Sequence, residues 1–235
     1  MSKNKLQKFS ESTQFKRVYQ PEFEEVHQRD YFLKGQWAQT VFNNQQPLIL
    51  ELGCGKGEYT IALAKQNTDK NYIGVDIKGA RIWRGAKTSN EEDLRNSGFL
   101  RTRIEFIESF FAENEVEEIW LTFPDPQAKA RRMKKRLTGP RFLSLYQKFL
   151  KPDGIIHLKT DSSILYEYTL ELLKHNDIQI IFHTNDLYNS DLEDDILHIH
   201  TFYEKQYLKQ GIKINYLKFR LPKNQIIKEL TNEDG

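Results

Sequence analysis

The sequence has little cysteine and no long apolar run, and each scarcity excludes a class of protein. One cysteine in 235 residues cannot form an intramolecular disulfide framework or a cysteine-based structural zinc site. No apolar stretch approaches the roughly 20 residues that a membrane span needs. The opening residues, MSKNKLQKFSES, contain lysine without an apolar core, which is not typical of a signal peptide. We therefore expect a soluble, cytoplasmic protein with no membrane partner.

Net charge is also nearly absent, although the charged side chains are unevenly distributed. Lysine and arginine number 35 against 33 aspartate and glutamate, which gives +2. Residues 1–20 nevertheless hold five cations and one acid, and residues 129–136 hold six cations. Local fields guide a polyanion better than the total charge does. The near-neutral total therefore does not exclude a nucleic-acid partner.

Length and aromatic content indicate one folded domain. A chain of 235 residues with fifteen Phe, eleven Tyr and three Trp can bury a sizeable core and is too rich in bulky residues to be disordered. The first residues are polar and basic, which is typical of mobile termini. We predict a basic, flexible extension over residues 1–22 and a single domain over residues 23–235.

Short apolar runs alternate with longer amphipathic segments along the chain. Predicted strands cover residues 48–51, 72–76, 104–108, 118–123, 155–160, 179–183 and 215–220. Predicted helices cover residues 58–66, 78–96, 140–150, 162–175 and 201–209. This alternation favours an α/β fold with a doubly wound, mainly parallel, seven-stranded sheet covered on both faces.

A glycine turn follows the first predicted strand of this sheet. The strand runs into E-L-G-C-G-K-G, so that Gly53, Gly55 and Gly57 lie at alternate positions. Glycines there allow a sharp turn and the close approach of a ligand to bare backbone. The next predicted strand ends at Asp76, whose carboxylate can accept from both hydroxyls of a ribose. Ligands of open parallel sheets bind at this edge.

The ligand of this turn can be inferred from an acid within the motif. Glu51 suits a cationic ligand such as the sulfonium or the amino group of S-adenosylmethionine and would repel a pyrophosphate. The G-x-G-x-G spacing also differs from the G-x-G-x-x-G of dinucleotide folds. Two alternatives remain open, namely a dinucleotide site and a tight turn with a capping acid. S-adenosylmethionine is the favoured cofactor.

A second turn and a cationic run follow the fourth predicted strand. In Phe123-Pro124-Asp125-Pro126 the two prolines restrict the backbone and present one carboxylate at the end of the strand. The cations of the next segment, Lys129, Arg131, Arg132, Lys134, Lys135 and Arg136, can contact phosphates and would make binding sensitive to salt. The alternatives are an ordinary turn and a solvated charge run.

Together these motifs resemble the bacterial tRNA (guanine-N7)-methyltransferase family of class I, Rossmann-like enzymes. The resemblance rests on the glycine turn, Asp76, the Pro-Asp-Pro turn and the basic run, and extends to Thr160-Asp161 and to the segment T-F-Y-E at 201–204. It covers roughly residues 48–221. It implies methyl transfer from S-adenosylmethionine to N7 of the guanosine at position 46, in the variable loop of tRNA.

The resemblance also implies roles for individual residues. Cofactor contacts fall on Glu51, Gly53, Gly55, Gly57, Asp76, Glu108 and Asp125, where Glu108 is the match for an acid near the adenine. Asp125 is the implied catalytic residue, and Lys129, Asp161, Thr201 and Glu204 are implied substrate contacts. Arg131, Arg132, Lys134, Lys135 and Arg136 are expected to contact the RNA backbone. Two positions depart from the family pattern, since Gln127 replaces an aromatic residue and Arg132 replaces a histidine.

The implied reaction needs alignment more than proton transfer. Guanine N7 has an in-plane lone pair and no proton at neutral pH, so no general base has to activate it. The enzyme must hold N7, the methyl carbon and sulfur in line. A fixed Asp125 can accept from guanine N1–H or its amino group and can counter the charge of the methylated base. We expect Asp125 to orient and stabilise.

The sequence alone leaves open other interpretations of these residues and of the function. Asp161 could be only a helix cap, and Thr201 with Glu204 could form only a capping box. Several histidines invite a metal hypothesis, but no convincing ligand set accompanies them, so we expect no metal. The alternative functions are a methyltransferase acting on another RNA or a small molecule, a non-catalytic RNA-binding subunit, and a nicotinamide-dependent oxidoreductase. Either a monomer or a homodimer is compatible with the sequence.

Overall fold

The computed structural model describes residues 3–192, 194 and 199–230. Its strands are β1 (Val18–Tyr19), β2 (Leu48–Leu52), β3 (Asn71–Asp76), β4 (Ser97–Arg101), β5 (Val116–Thr122), β6 (Leu150–Thr160), β7 (Ile180–Thr184) and β8 (Asn215–Arg220). The α-helices are α1 (Lys3–Ser12), α2 (Phe23–Val26), α3 (Glu58–Gln66), α4 (Gly79–Glu91), α5 (Pro140–Tyr146), α6 (Ser163–His175) and α7 (Phe202–Lys209). Shorter helical turns cover Trp37–Val41, Ile104–Ser109, Ala130–Lys135 and Leu187–Asn189.

All strands join one sheet in the order β1-β4-β3-β2-β5-β6-β8-β7. The strands from β1 to β6 pair in parallel, whereas β8 is antiparallel to both of its neighbours. The order reverses at β2, so helices reach both faces of the sheet. This arrangement confirms the predicted doubly wound, mainly parallel architecture. The sheet has eight strands among the described residues, where the sequence predicted seven.

The extra strand, β1, comes from the segment that was predicted to be an extension. Val18 pairs with Phe99 and Tyr19 with Leu100, which makes β1 an edge strand of the same sheet. Helix α1 packs against α4, where the indole of Trp83 donates to Glu11 at 2.9 Å. Residues 7–22 are therefore in contact with the domain in this structure. The flexible extension over residues 1–22 stays a prediction.

The third predicted strand was wrong. Residues 104–108 belong to a 3₁₀ helix, Ile104–Ser109, and the strand lies earlier, at Ser97–Arg101. The strand S-G-F-L-R begins with two small residues and ends on a cation, a weak strand signal. The helix has a run of apolar residues that resembles a strand when it is read alone. Residues 97–101 form a strand because they pair with β3 on one side and with β1 on the other.

Strand β2 shows how the core positions the site. Its five residues are all buried, as expected for a central parallel strand. Leu48, Leu50 and Leu52 pack into the larger hydrophobic cluster on one face. Ile49 packs into the cluster on the opposite face, with Tyr59 of α3. Because side chains alternate along a strand, Glu51 lies on the face of Ile49 and points toward α3.

The predicted helices begin within one residue of their predicted starts, but α4 ends at Glu91 instead of residue 96 and α5 ends at Tyr146 instead of residue 150. Helix α3 spans the predicted residues 58–66, and α6 begins after Ser162, whose hydroxyl accepts from the backbone N–H of Leu165 at 3.3 Å. Helix α7 begins after Thr201, as predicted. None of the helices in the described ranges is long and apolar enough to cross a membrane.

Candidate active site

The predicted site residues lie at one edge of the sheet. Strands β3, β2, β5 and β6 are neighbours, and the carboxyl ends of parallel strands meet at the same edge. The glycine turn follows β2, Asp76 ends β3, the Pro-Asp-Pro turn follows β5 and Asp161 follows β6. Topology therefore brings together four segments that are up to 110 residues apart, from Glu51 to Asp161.

The glycine turn is open on one side and tightly packed on the other. Gly53 has φ +82° and no atom within 4 Å of where a Cβ would lie, so a ligand can approach its backbone. Gly57 has φ +69°, and a Cβ there would lie 2.5 Å from the ring of Phe99. A side chain at either position would strain the backbone, and at position 57 it would also collide with the core.

Glu51 is buried beneath this turn, with 4% of its surface exposed. One carboxylate oxygen accepts from the backbone N–H of Thr60 at 2.8 Å and from the Thr60 hydroxyl. The other accepts from the hydroxyl of Thr122 at the end of β5. Burial raises the pKa of Glu51 to about 7, and the threonine hydrogen bonds oppose that rise. Glu51 therefore links β2, α3 and β5 and also lines the cleft.

Asp76 organises the backbone on the far side of the turn. One of its oxygens accepts from the N–H of Gly55 at 3.0 Å, and the other from the N–H of Lys78 at 2.7 Å. The first bond joins the end of β3 to the glycine turn. The carboxylate stands beside Gly53 in a second cavity of the cleft.

Two cavities flank Gly53 and together form a cleft along the edge of the sheet. The first is lined by Glu51, Thr122, Phe123, Thr201 and Tyr203 among others. The second is lined by Asp76, Ile77, Thr102, Glu105 and Gln127 among others. Since Gly53 borders both, an elongated ligand can cross the turn with one end in each cavity.

Glu108, the predicted acid near the adenine, does not line either of these cavities. Its carboxylate accepts from the Lys148 ammonium in an exposed ion pair. Glu105, one turn earlier in the same 3₁₀ helix, lines the cavity that holds Asp76. The difference follows from the missed strand: Glu108 was expected at the end of a strand over residues 104–108, but β4 ends at Arg101 and the acid that lines the cleft is Glu105 of the following 3₁₀ helix.

The Pro-Asp-Pro turn is held between two residues in the left-handed region. Phe123 has φ +50° and Gln127 has φ +47°, which is uncommon for residues other than glycine. The N–H of Phe123 donates to the Lys159 carbonyl on β6 at 2.7 Å. Asp125 is exposed, and one of its oxygens accepts from the N–H of Gln127 at 3.0 Å.

The basic run divides into an exposed group and one buried member. Lys129, Arg131, Arg132, Lys134 and Lys135 are exposed on and just before the short helix Ala130–Lys135. Arg136, which was predicted to contact the RNA backbone, is only 4% exposed. Its Nε donates to the carbonyl of Pro126 at 3.1 Å, and its guanidinium lies 4.1 Å from the ring centre of Tyr168. The prediction for Arg136 is therefore corrected, because the side chain turns inward.

Asp161 is free of the capping role that the sequence left open. Ser162 caps α6, so the carboxylate of Asp161 does not serve as the cap. Burial raises the pKa of Asp161 above its usual value. The neighbouring Thr160 hydroxyl accepts from the N–H of Ser162 at 3.1 Å. Asp161 thus stands at the end of β6, next to the turn that carries Asp125.

Thr201 and Glu204 form the capping box that the sequence left open as an alternative to substrate contact. The Thr201 hydroxyl accepts from the N–H of Glu204 at 3.3 Å, and Glu204 accepts from the N–H of Thr201 at 3.2 Å. Glu204 is fully buried and pairs with the Lys159 ammonium at 2.8 Å. It also accepts from the hydroxyl of Tyr188. The implied substrate contact of Glu204 is therefore corrected, because its buried carboxylate is bound by Lys159 and Tyr188 and holds the start of α7.

Several residues of the site have no signal in the sequence. Thr60, Thr122 and Lys159 contact Glu51 or Glu204 only because separate elements pack together. Gln127 was noted only as a departure, yet it lines the second cavity, and its side-chain oxygen is buried without a hydrogen-bond partner. Within the described ranges no group of three or more His, Cys, Asp or Glu side chains is arranged to hold a metal ion; His198 lies outside those ranges.

Comparison with known proteins gives consistent matches over this whole region. A protein-family profile described as "Putative methyltransferase" matches residues 45–217. A Bacteroides thetaiotaomicron protein named tRNA (guanine-N(7)-)-methyltransferase is 51% identical over 229 residues, which cover 97% of this chain and 90% of that protein. A Christiangramia forsetii protein of the same name is 52% identical and covers 94% of this chain and 99% of its own length.

A solved structure supports the fold. The crystal structure of the 16S rRNA methyltransferase KamB superposes with a TM-score of 0.62 at 12% identity, covering 84% of this chain and 98% of that chain. At this level of identity the likeness concerns the fold alone.

Proposed function

Because this chain belongs to the tRNA (guanine-N(7)-)-methyltransferase family, we propose that it methylates N7 of a guanine in cytoplasmic tRNA. The methyl donor is S-adenosylmethionine, and the target is the guanosine at position 46 in the variable loop. The observation that carries the proposal is that an open glycine turn after β2 lies next to an exposed carboxylate, Asp125, in the turn after the neighbouring strand β5.

The cleft fits the proposed cofactor in shape and charge. It continues on both sides of Gly53, which suits a molecule with an amino-acid end and a nucleoside end. Asp76 lies on the side of the nucleoside and would accept from the ribose hydroxyls, with Glu105 and Gln127 farther along. Glu51 lies on the other side, where an anionic acid favours the amino group and the sulfonium. S-adenosylmethionine supplies a methyl group already activated by its sulfonium.

Asp125 would act on the base. It follows the strand next to β2, so a guanine whose Watson–Crick edge meets this carboxylate lies beside the first cavity. Asp125 would accept from N1–H or the amino group, fix the direction of N7 and counter the positive charge that develops on the base. No proton has to leave N7, so Asp125 does not have to act as a general base.

Further residues around the cleft would hold the RNA. Lys129 and the exposed cations after it extend from the Pro-Asp-Pro turn and suit phosphates. Thr201 lines the first cavity, and Asp161 follows β6, the neighbour of β5; both would contact the base. Tyr203 is 52% exposed at the first cavity and offers a ring on which an unstacked base can lie.

The test is transfer of labelled methyl from S-adenosylmethionine into bulk tRNA, followed by nucleoside analysis. We expect the label in 7-methylguanosine. Asp125→Asn keeps the size of the side chain but removes its charge, and we expect it to lower kcat about 10²-fold. Label in another nucleoside would reject the proposed target. Wild-type kcat in Asp125→Asn with only a raised KM would reject the proposed role of Asp125.

A further inference from the structure

One cation of the basic run points away from the RNA-facing surface. The four cations that precede it on the helical turn, Arg131, Arg132, Lys134 and Lys135, are exposed. Arg136 follows the end of that turn and is 4% exposed. A phosphate cannot reach a guanidinium in this position without displacing the protein around it. The role of Arg136 therefore depends on the protein groups that it contacts.

The contacts of Arg136 join the Pro-Asp-Pro turn to helix α6. Its Nε donates to the carbonyl of Pro126 at 3.1 Å. Its guanidinium lies over the ring of Tyr168, 4.1 Å from the ring centre. The Tyr168 hydroxyl donates in turn to Glu229 at 2.8 Å. The carbonyl next to Asp125 is thereby fixed to a buried aromatic ring of the core cluster.

The Pro-Asp-Pro turn requires a contact from outside the turn to hold its backbone. Proline nitrogens carry no hydrogen, so neither Pro124 nor Pro126 can donate a backbone hydrogen bond to anchor the segment. Phe123 and Gln127, on either side, have φ +50° and +47°. Left-handed residues other than glycine persist only where surrounding contacts hold them. The bond from Arg136 to the Pro126 carbonyl is such a contact, one residue from Asp125.

We propose that Arg136 is a positioning residue that sets the orientation of Asp125, and that it does not contact RNA. The inference rests on the proposed function, since it assigns a support to the residue that orients the guanine. Only arginine combines a planar group that stacks on a ring with an Nε–H that points sideways to a carbonyl. Lysine at this position would keep the charge and lose both features.

The experiment compares Arg136→Ala, Arg136→Lys and Arg132→Ala in the tRNA methylation assay, over a range of tRNA and salt concentrations. We expect Arg136→Ala to lower kcat about 10²-fold, because small misplacements of an aligning group are costly. Its affinity for S-adenosylmethionine and the salt dependence of tRNA binding should stay as in wild type. Arg132→Ala is the matched exposed cation, and its effect should fall on KM and on the salt slope.

Added methylguanidinium should restore part of the kcat of Arg136→Ala and none of the KM effect of Arg132→Ala. If Arg136→Ala cannot be purified folded, Arg136→Lys serves in its place and should show the same loss of kcat. The inference would be overturned if Arg136→Lys kept the wild-type kcat. It would also be overturned if either Arg136 variant lowered the salt slope of tRNA binding by about one. In both cases the proposed function would still stand. Absence of 7-methylguanosine with wild-type protein would overturn both.

Discussion

At the scale of single residues, Glu51 combines a structural role with the cofactor-binding role proposed for it, and its burial has a cost. Its carboxylate is buried at the junction of β2, α3 and β5, where two threonines donate to it. Burial favours the neutral acid and raises the pKa of Glu51 to about 7. A cationic ligand in the cleft would favour the ionised form. The protonation of Glu51 is therefore coupled to folding and, under the proposed function, to cofactor binding.

This coupling predicts a pH dependence of the cofactor-free protein. The unfolded chain releases the Glu51 proton near the ordinary pKa of glutamate, about 4.3, whereas the folded protein keeps it until about pH 7. Folding then binds a proton between these values, so the contribution of this group to stability falls as pH rises from about 4.5 to 7. In Glu51→Gln the free energy of unfolding should decline less over this window.

Urea unfolding at several pH values between 4.5 and 8 measures the effect. Glu24→Gln, which alters an exposed carboxylate on α2, is the control and should follow the wild-type profile. Parallel pH profiles for wild type and Glu51→Gln would contradict the raised pKa. Affinity for S-adenosylmethionine should also increase from pH 6 to pH 8 in wild type, and should vary less in Glu51→Gln.

At the scale of secondary-structure elements, helix α7 is attached to the sheet by a buried ion pair. Lys159 of β6 and Glu204 of α7 are both fully buried, and their charged groups are 2.8 Å apart. Lys159 also donates to the Ile199 carbonyl at 3.0 Å. Burial lowers the pKa of Lys159, and Glu204 opposes that shift. The pair fixes the start of α7, and with it Thr201, at the cleft.

Breaking this pair should destabilise the protein strongly. Lys159→Met leaves the Glu204 carboxylate buried without its counter-charge, and removal of one partner of a buried pair costs about 3–5 kcal/mol. Denaturant unfolding of Lys159→Met, Glu204→Gln and the double variant measures the coupling between the two charges. The double variant should lose less free energy than the two single losses added together. Additive losses would show that the two charges do not interact.

At the scale of the whole molecule, the net charge of +2 conceals a cationic surface beside the proposed active site. The exposed cations of the basic run lie at the carboxyl edge of the sheet, next to the Pro-Asp-Pro turn. Helix α6 starts at this edge after Asp161 and runs back toward the opposite edge, where Lys174 is exposed in its last turn. Cations at the two edges should therefore differ in their effect on tRNA binding.

We expect Arg131, Arg132 and Lys134 changed together to Ala to weaken tRNA binding and to reduce its dependence on salt. Each lost phosphate contact lowers the slope of log K against log salt by roughly 0.9, so the slope should fall by about 2 to 3. Lys174→Ala, at the far edge, should leave the slope as it is in wild type. Filter-binding measurements of tRNA affinity between low and moderate salt give this slope. An unchanged slope in the triple variant would exclude the basic run as the RNA contact.

The sequence by itself determined the class of fold, the order of the central elements and the residues at the sheet edge. Continuous apolar strands, a glycine turn and paired prolines act through local chemistry, so they can be read without knowing the neighbours. Glu51, Asp76 and Asp125 are predictable for this reason. The family also follows from the order of these motifs along the chain.

Only the tertiary structure decided which way side chains face and which distant groups meet. Arg136 is indistinguishable from the exposed cations before it until Tyr168 and the Pro126 carbonyl are found beside it. Glu105 replaces Glu108 at the cleft because β4 ends at Arg101, and β4 is a strand because it pairs with β3 and β1. Glu204 faces inward because Lys159 is buried beneath α7. Burial and pairing depend on long-range packing, which no local pattern encodes.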